Sequence, residues 1–170
     1  MAAFHALPGF YQVLFLYLEP LSMVLPAIVV YAYPGTSWFH HQLIPSSQTA
    51  SQLLDERTQM AIWQLANCYF LLSLIEAVVF RAVRDTLPQN PQAQERLIGA
   101  SLAVLAVADV THIAATIAGL PTDLRFAFMH WNATTHGNVT AVVVLLTARI
   151  CWFLGIGRSR SVNGNQRKTL

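Results

Sequence analysis

Four apolar stretches dominate this 170-residue chain, and each is long enough to cross a lipid bilayer as a helix. They cover residues 10–33, 60–83, 97–120 and 139–157. A helix rises about 1.5 Å per residue, so about 20 residues span the ~30 Å hydrocarbon layer. The composition agrees, because 55% of the residues are hydrophobic and only 11% are charged. The sequence therefore predicts an all-α fold, an integral membrane four-helix bundle that forms one domain over residues 1–170 and has the lipid bilayer as its surroundings.

Basic residues are distributed unevenly between the two ends of such a bundle. One end would hold Arg81, Arg84, Arg96 and Arg158, together with Arg160, Arg167 and Lys168 of the polar tail 158–170. The other end would hold only Arg57 and Arg125. Because cytosolic segments carry the excess of Lys and Arg, we expect both termini in the cytosol and the endoplasmic reticulum as the membrane. The basic tail residues are those that this topology requires, so no nucleic-acid partner is expected.

Two sequons, beginning at Asn132 and Asn138, fall on the opposite side of the predicted membrane. Their position agrees with the charge distribution, because N-glycans are added on the lumenal side. Asn132 and Asn138 are therefore glycosylation candidates.

Each apolar stretch contains one ionisable residue near the same depth. These residues are Glu19, Glu76, Asp109 and Arg149. Counted from the predicted cytosolic ends, all four lie at a depth of about 10–18 Å. A charged side chain is costly in hydrocarbon, so these residues are expected to face the protein interior and to meet there. One arginine cannot readily neutralise three carboxylates in a low-dielectric site, so at least one carboxyl is predicted to be protonated at neutral pH.

Other polar residues share helix faces with these acids. They are His112 and Thr116 on the face of Asp109, and Tyr69 and Ser73 on the face of Glu76. A buried protonated carboxyl is a proton donor, and a neighbouring histidine can relay a proton. The candidate catalytic residues are therefore Glu19, Glu76, Asp109, His112 and Arg149. The candidate substrate contacts in this layer are Tyr69, Ser73 and Thr116.

Prolines and small residues shape the predicted helices. Pro20 lacks the amide that would bond the Leu16 carbonyl, so this carbonyl is expected to stay free near Glu19. The third stretch is rich in Gly and Ala from Gly99 to Gly119, and small residues allow neighbouring helices to pack closely.

A structural role is the alternative for the ionisable residues. Arg149 would then pair with Glu76 or Glu19 to fix the helix packing, and Asp109 would bond to His112 locally. Interhelical polar bonds contribute only about 0.6 kcal/mol on average, which is little reason to place four ionisable residues at one depth. The set therefore favours a functional cavity.

The segment 125–132 mixes Phe, Trp and His just before the fourth stretch. It is typical of an aromatic belt at the membrane interface. The alternative is a lid over the cavity, in which His130 and Trp131 contact the substrate. The histidines here and at positions 40 and 41 lack metal-ligand spacing, so neither a metal nor a cofactor is expected.

Three segments resemble a family of small fungal four-span membrane proteins. The segments are Phe15-Leu-Tyr-Leu-Glu-Pro20, Asp109-Val-Thr-His112 and Arg149-Ile-Cys-Trp-Phe-Leu-Gly155. Proteins of this kind are often encoded beside secondary-metabolite genes. Their layout is loosely similar to that of the emopamil-binding-protein-like sterol isomerases and of the membrane-bound meroterpenoid cyclases. The isomerases use buried acids, and the cyclases protonate an epoxide with buried carboxylates.

The residues and the resemblance together predict a membrane-embedded enzyme of secondary metabolism. It would open an epoxide in a lipophilic terpenoid or polyketide intermediate with acid assistance, as a cyclase, hydrolase or isomerase. Glu19 and Glu76 compete for the role of proton donor. Asp109 with His112 would position water or accept a proton, and Arg149 would hold one carboxylate ionised.

A non-catalytic protein is the competing hypothesis. It would bind a sterol-like ligand or scaffold membrane-bound pathway enzymes. A transporter is less favoured, because the chain has only four spans and no visible inverted repeat.

Overall fold

The computed structural model describes residues 4–46 and 53–159. In these two ranges the regular structure is helical, and no strand occurs. Four helices are long and apolar enough to cross a membrane: α1 (Phe10–Tyr31), α3 (Glu56–Thr86), α4 (Pro91–Gly119) and α5 (Ala133–Leu154). A short helix, α2 (Thr36–Gln42), follows the first of them. The predicted all-α membrane bundle is confirmed.

The helices differ from the predicted spans mainly at their ends. Helix α3 begins earlier than predicted, because the exposed Asp55 carboxylate accepts hydrogen bonds from the backbone amides of Arg57 and Thr58. The hydrogen bonds that this carboxylate accepts from the Thr58 hydroxyl and from these two amides hold the pKa of the Asp55 carboxyl below its usual value. Helix α5 begins earlier, after the side-chain cap of Asn132, and ends before Gly155, which has a left-handed φ of 79°. Polar caps thus extend the helices beyond their apolar cores.

The bundle has two distinct ends because successive spans run in opposite directions. At the end that we call the termini end, α1 and α4 begin and α3 and α5 finish. The opposite end, the loop end, carries α2 and the segment 120–132. The basic residues Arg160, Arg167 and Lys168 lie outside the described residues.

The spans are arranged as two pairs. Helix α1 packs along α3, and α4 packs along α5, whereas contact between α3 and α4 is sparse. At the termini end one buried apolar cluster joins all four spans, with Leu14, Phe80, Leu102 and Trp152 among its members. Toward the loop end this core divides into two clusters. One, around Ile62 and Ala66, belongs to α1, α2 and α3, and the other, around Leu120 and Val139, belongs to α4 and α5.

The segment 4–9, which no sequence pattern singled out, packs inside the termini end. Leu7 is fully buried there. The Ala6 carbonyl accepts a hydrogen bond from the Trp152 indole at 2.8 Å, and the Ala6 amide donates to the buried Gln94 side chain at 3.4 Å. Next along the chain, the Tyr11 hydroxyl donates to the carbonyl of residue 156 at 2.6 Å. This segment therefore forms an apolar floor beneath the bundle.

Helix α1 is irregular where its prolines interrupt it. Residues 14–18 form a π-helical turn. The Leu16 carbonyl, which Pro20 leaves without its usual amide donor, accepts a hydrogen bond from the Arg81 guanidinium of α3 at 3.4 Å. The predicted free carbonyl is thus used to join the first pair of helices.

Only some of the small residues of α4 serve helix packing. Gly99 faces Trp152 of α5, and an added Cβ atom would lie 3.1 Å from the indole ring. In contrast, Ala103, Ala114 and Ala118 are exposed, as are Val104 and Val107 on the same helix. An exposed apolar face on a spanning helix contacts lipid, so most of this small-residue pattern lies outside the helix interfaces.

Candidate functional site

One ionisable residue from each span meets the others in the interior of the bundle. The exposed fractions are 0% for Arg149, 1% for Glu76, 4% for Glu19 and 8% for Asp109. We call these four residues the acid–arginine cluster. The predicted convergence in depth is therefore also a convergence in the plane of the membrane.

Arg149 is the centre of the cluster. Its Nη1 donates a hydrogen bond to Asp109 Oδ2 at 2.9 Å, and its Nη2 donates to Glu19 Oε1. The same Nη2 lies 3.9 Å from Glu76 Oε1, which is beyond hydrogen-bonding distance. The carboxylates of Glu19 and Asp109 are therefore paired with the guanidinium, whereas the third acid, Glu76, is not hydrogen-bonded to it.

Glu76 has an unusual environment for a buried acid. Among the described residues, neither of its oxygens accepts a hydrogen bond from a protein donor. The second oxygen of Glu19, which is also buried, has no hydrogen-bond partner among the described residues either. Since a carboxylate only accepts hydrogen bonds, a buried carboxyl that lacks a donor is costly to keep ionised.

Two contacts hold the cluster in place. The Ser73 hydroxyl donates to the Pro20 carbonyl at 2.8 Å, which ties α3 to α1 beside the two glutamates. The Phe15 ring lies 5.3 Å from the guanidinium carbon of Arg149, on the side of the termini end. The position of Phe15 could have been inferred from its spacing of four residues before Glu19, which puts both on one helix face.

His112 is close to the cluster along α4 but contacts a different partner. Its ring meets the Tyr69 ring of α3 edge to face, with the centroids 6.5 Å apart. Asp109 Oδ2 accepts a hydrogen bond from Arg149, and in the described part of the chain no hydrogen bond joins Asp109 to His112, as the structural alternative would require. Tyr69 and His112 are both partly buried and lie on the loop-end side of the acids.

Thr116 lies farther from the acids. It is partly buried one turn beyond His112, about 10 Å from Asp109 along the helix axis.

His130 and Trp131 lie far from the acid–arginine cluster. They follow Leu120, which is about 16 Å from Asp109 along α4. Both residues line an open cleft of about 750 Å³ at the loop end, with His41, Gln42 and Asp123 among the other lining residues. The Trp131 ring is buried and its indole N–H donates to the Leu124 carbonyl at 2.8 Å. His130 and Trp131 therefore line a cleft that is separate from the acid–arginine cluster, and they do not cover the acids directly.

The loop-end cleft contains two histidines and one aspartate. Even so, in residues 4–46 and 53–159 no three His, Cys, Asp or Glu side chains are arranged to hold a metal ion.

The two sequon asparagines occupy structured positions. Asn132 caps α5 by accepting from the Thr135 amide, and its Nδ2 atom donates to the Gln42 carbonyl at 2.9 Å. Nδ2 is the atom to which an N-glycan is attached. Asn138 is partly buried in the first turns of α5.

The cluster can carry out acid–base chemistry in a dry environment. It combines a carboxyl without a protein donor, two carboxylates held by one guanidinium, and an imidazole one turn away on α4. Such buried groups differ in protonation because their surroundings differ, and this difference separates an acid from a base.

The four long apolar helices define the class, a helical multi-pass membrane protein. A family model described as Domain of unknown function (DUF7704) matches residues 4–159, and the chain belongs to this family. No curated protein and no solved structure matches the chain.

Proposed function

We propose that this chain is a membrane-embedded enzyme of secondary metabolism that opens an epoxide in a lipophilic terpenoid or polyketide intermediate by acid catalysis. The observation that carries the proposal is the Glu76 carboxyl, which is buried beside two paired carboxylates and has no protein donor among the described residues. Such a group is stable in the interior when it is protonated, and a protonated carboxyl in a dry site is a general acid.

The geometry favours Glu76 over Glu19 as the proton donor. Glu19 and Asp109 accept hydrogen bonds from Arg149, and a guanidinium partner keeps a carboxyl ionised. In the proposed step, the Glu76 proton passes to the epoxide oxygen and one carbon–oxygen bond breaks. The resulting positive charge on carbon is stabilised by the nearby carboxylates.

The step ends in one of two ways: water attacks the cationic carbon and the resulting oxonium ion loses a proton, or a carbon–carbon double bond of the same molecule attacks it and the new carbon cation loses a proton from an adjacent carbon. The proton that is then released returns to the cluster by way of Asp109 and His112, and Glu76 is restored. Hydrolysis and cyclisation thus need the same residues, and the shape of the substrate decides between them.

Amide substitutions test the proposal. Glu76→Gln keeps the shape of the side chain but removes its acidic proton, so we expect product formation to fall by about 10²–10⁴-fold and the epoxide to accumulate. Glu19→Gln and Asp109→Asn should lower product formation less than Glu76→Gln does, because Glu19 and Asp109 stabilise the cationic carbon by their charge and do not donate the proton. The measurement is the amount of epoxide and product in a host that makes the full pathway.

Asn67→Leu is the matched control, because Asn67 is an exposed polar residue of the same helix. It should leave the product unchanged. Full product from all three amide variants would exclude acid catalysis by this cluster.

A second candidate is binding without chemistry, of a sterol-like ligand or of membrane-bound pathway enzymes. The loop-end cleft favours it, since about 750 Å³ lies within the range of small-molecule sites. If this second function is correct, the amide variants of the acids should keep full function, and His130→Ala should weaken binding of the ligand or partner at the cleft.

The orientation in the membrane is also a proposal. We infer that both termini face the cytosol of an endoplasmic reticulum membrane. The described basic residues support this, because Arg81, Arg84, Arg96 and Arg158 lie toward the termini end. Glycans on Asn132 or Asn138 would then be lumenal.

A further inference from the structure

A seam between α3 and α4 runs from the acid–arginine cluster toward the loop end. Contact across it is sparse, unlike the extensive contact within each helix pair. Within the described residues, the buried apolar clusters on the two sides of the seam share no member. Because little buried apolar surface joins the pairs here, separating them locally disrupts few contacts.

One aromatic contact bridges this seam next to the acids. The Tyr69 and His112 rings meet edge to face at 6.5 Å. His112 lies about 4.5 Å from Asp109 along its helix, and Tyr69 lies about 10 Å from Glu76 along its own. The ring pair therefore stands between the loop-end part of the seam and the carboxyls.

The approach to the cluster from the termini end is closed. On the termini end, Phe15 packs against the Arg149 guanidinium, and Phe15 and Phe80 belong to the apolar cluster that joins all four spans. Beneath them lies the floor formed by residues 4–9, in which Leu7 is fully buried. A molecule that reached the acids from this side would have to displace a packed core.

The cluster is most accessible on the α4 side. The Asp109 side chain is 11% exposed, compared with 0–4% for those of Arg149, Glu76 and Glu19. Asp109 is also the acid whose helix face continues into His112. The exposure of the cluster and the weakly packed seam therefore lie on the same helix.

We propose that the α3–α4 seam is a lateral entrance from the bilayer, gated by Tyr69 and His112, through which uncharged lipid-soluble molecules reach Glu76. This inference rests on the proposed function, because it takes Glu76 to be the protonated acid. It adds the route and the class of molecule that the site admits. A charged or strongly hydrated molecule would have to leave water to enter this route, and that is costly.

A lipophilic carbodiimide tests the entrance without any substrate. The O–H of a protonated carboxyl adds across a carbon–nitrogen double bond of N,N′-dicyclohexylcarbodiimide. The resulting O-acylisourea rearranges to a stable N-acylurea. No group leaves, so the carboxyl gains the full mass of the reagent. A water-soluble cationic carbodiimide is the comparison reagent.

The experiment follows the adduct on the Glu76 peptide by mass spectrometry, with the purified full chain in lipid nanodiscs. We expect the lipophilic reagent to label Glu76 and the cationic reagent to leave it unmodified. Tyr69→Ala and His112→Ala should each increase the labelling rate severalfold, because each removes one ring of the gate. Glu76→Gln should abolish the adduct, which identifies the site.

Leu145→Ala is the matched control. Leu145 is a partly buried residue of α5, one turn from Arg149 toward the loop end, and it packs against the apolar cluster that joins all four spans. It belongs to neither of the two helices that form the seam. It should leave the labelling rate unchanged. Thermal unfolding shows which variants are folded, and His112→Ala alone decides the question if Tyr69→Ala does not fold.

The outcomes separate the two proposals. Labelling of Glu76 that neither gate variant accelerates, or that Leu145→Ala accelerates equally, overturns the entrance and leaves the acid intact. Failure to label Glu76 in the wild type and in every variant overturns the protonated acid, and the entrance with it. A third outcome is that Tyr69→Ala and His112→Ala accelerate the labelling of Glu76, while the three amide variants all make full product. This outcome supports the entrance and rejects acid catalysis by the cluster.

Discussion

At the scale of single residues, the acid–arginine cluster is the feature that sets this protein apart from a simple membrane bundle. Arg149 is fully buried and bonds to carboxylates from two other helices. A buried pair of charges is a poor source of stability when compared with apolar packing, but removing one partner leaves the other charge uncompensated. The fold therefore tolerates these buried carboxylates only while the Arg149 guanidinium is present to match their charge.

Replacing the arginine tests this matching. Arg149→Met leaves Glu19 and Asp109 without their donor, and we expect the free energy of unfolding to fall by about 3–5 kcal/mol. The measurement is unfolding in mixed micelles with increasing sodium dodecyl sulfate. Arg57→Met, at an exposed position of α3, should change the stability by less than about 0.5 kcal/mol. Equal stability of the two variants would show that Arg149 does not hold the cluster together.

At the scale of helices, packing at the termini end depends on one small residue. Gly99 of α4 lies against Trp152 of α5, whose ring is fixed on two sides. The indole N–H donates to the Ala6 carbonyl at 2.8 Å, and the Arg158 guanidinium lies 3.8 Å from the ring centre. The indole therefore has little freedom to move away from a larger residue at position 99.

Alanine at position 99 should strain this interface. Its Cβ atom would lie 3.1 Å and 3.3 Å from two ring atoms of Trp152. Overpacking of this kind costs about 1–3 kcal/mol. Gly119→Ala is the control, because nothing lies within 4 Å of its added Cβ atom. We expect Gly99→Ala to unfold at a lower temperature than Gly119→Ala, and the reverse order would contradict this packing.

At the scale of the whole molecule, the arrangement is two helix pairs joined at the termini end. The segment 4–9 closes that end, while the loop end is divided by the α3–α4 seam. The ends also differ in charge, since the described arginines Arg81, Arg84, Arg96 and Arg158 lie toward the closed end. The closed and more basic end is the one that we expect to face the cytosol.

Single cysteines at the two ends test this orientation. In a background with Cys68 and Cys151 replaced, we expect a membrane-impermeant maleimide to label His5→Cys in sealed microsomes. Met129→Cys should react only after detergent is added, because it would face the lumen. Both positions are exposed, so differences in burial do not explain the result. Labelling in the opposite order would reverse the proposed topology.

The sequence by itself determined the class of fold and the depth of the site. Helix rise is constant, so counting residues was enough to place Glu19, Glu76, Asp109 and Arg149 in one layer. The loss of the helical donor to the Leu16 carbonyl was also predictable, because a proline four residues later always removes the same amide, whereas its new partner Arg81 was not. Helix ends were less accurate, since caps such as Asp55 and Asn132 lie outside the apolar stretches.

Only the tertiary structure decided which acids Arg149 binds, and that Glu76 is the one left over. It likewise decided that His112 meets Tyr69, that His130 and Trp131 belong to a separate cleft, and that residues 4–9 enter the core. The physical reason is the same in each case. Periodicity along a helix specifies the face and height of a side chain, whereas its partners depend on how the helices are rotated and paired.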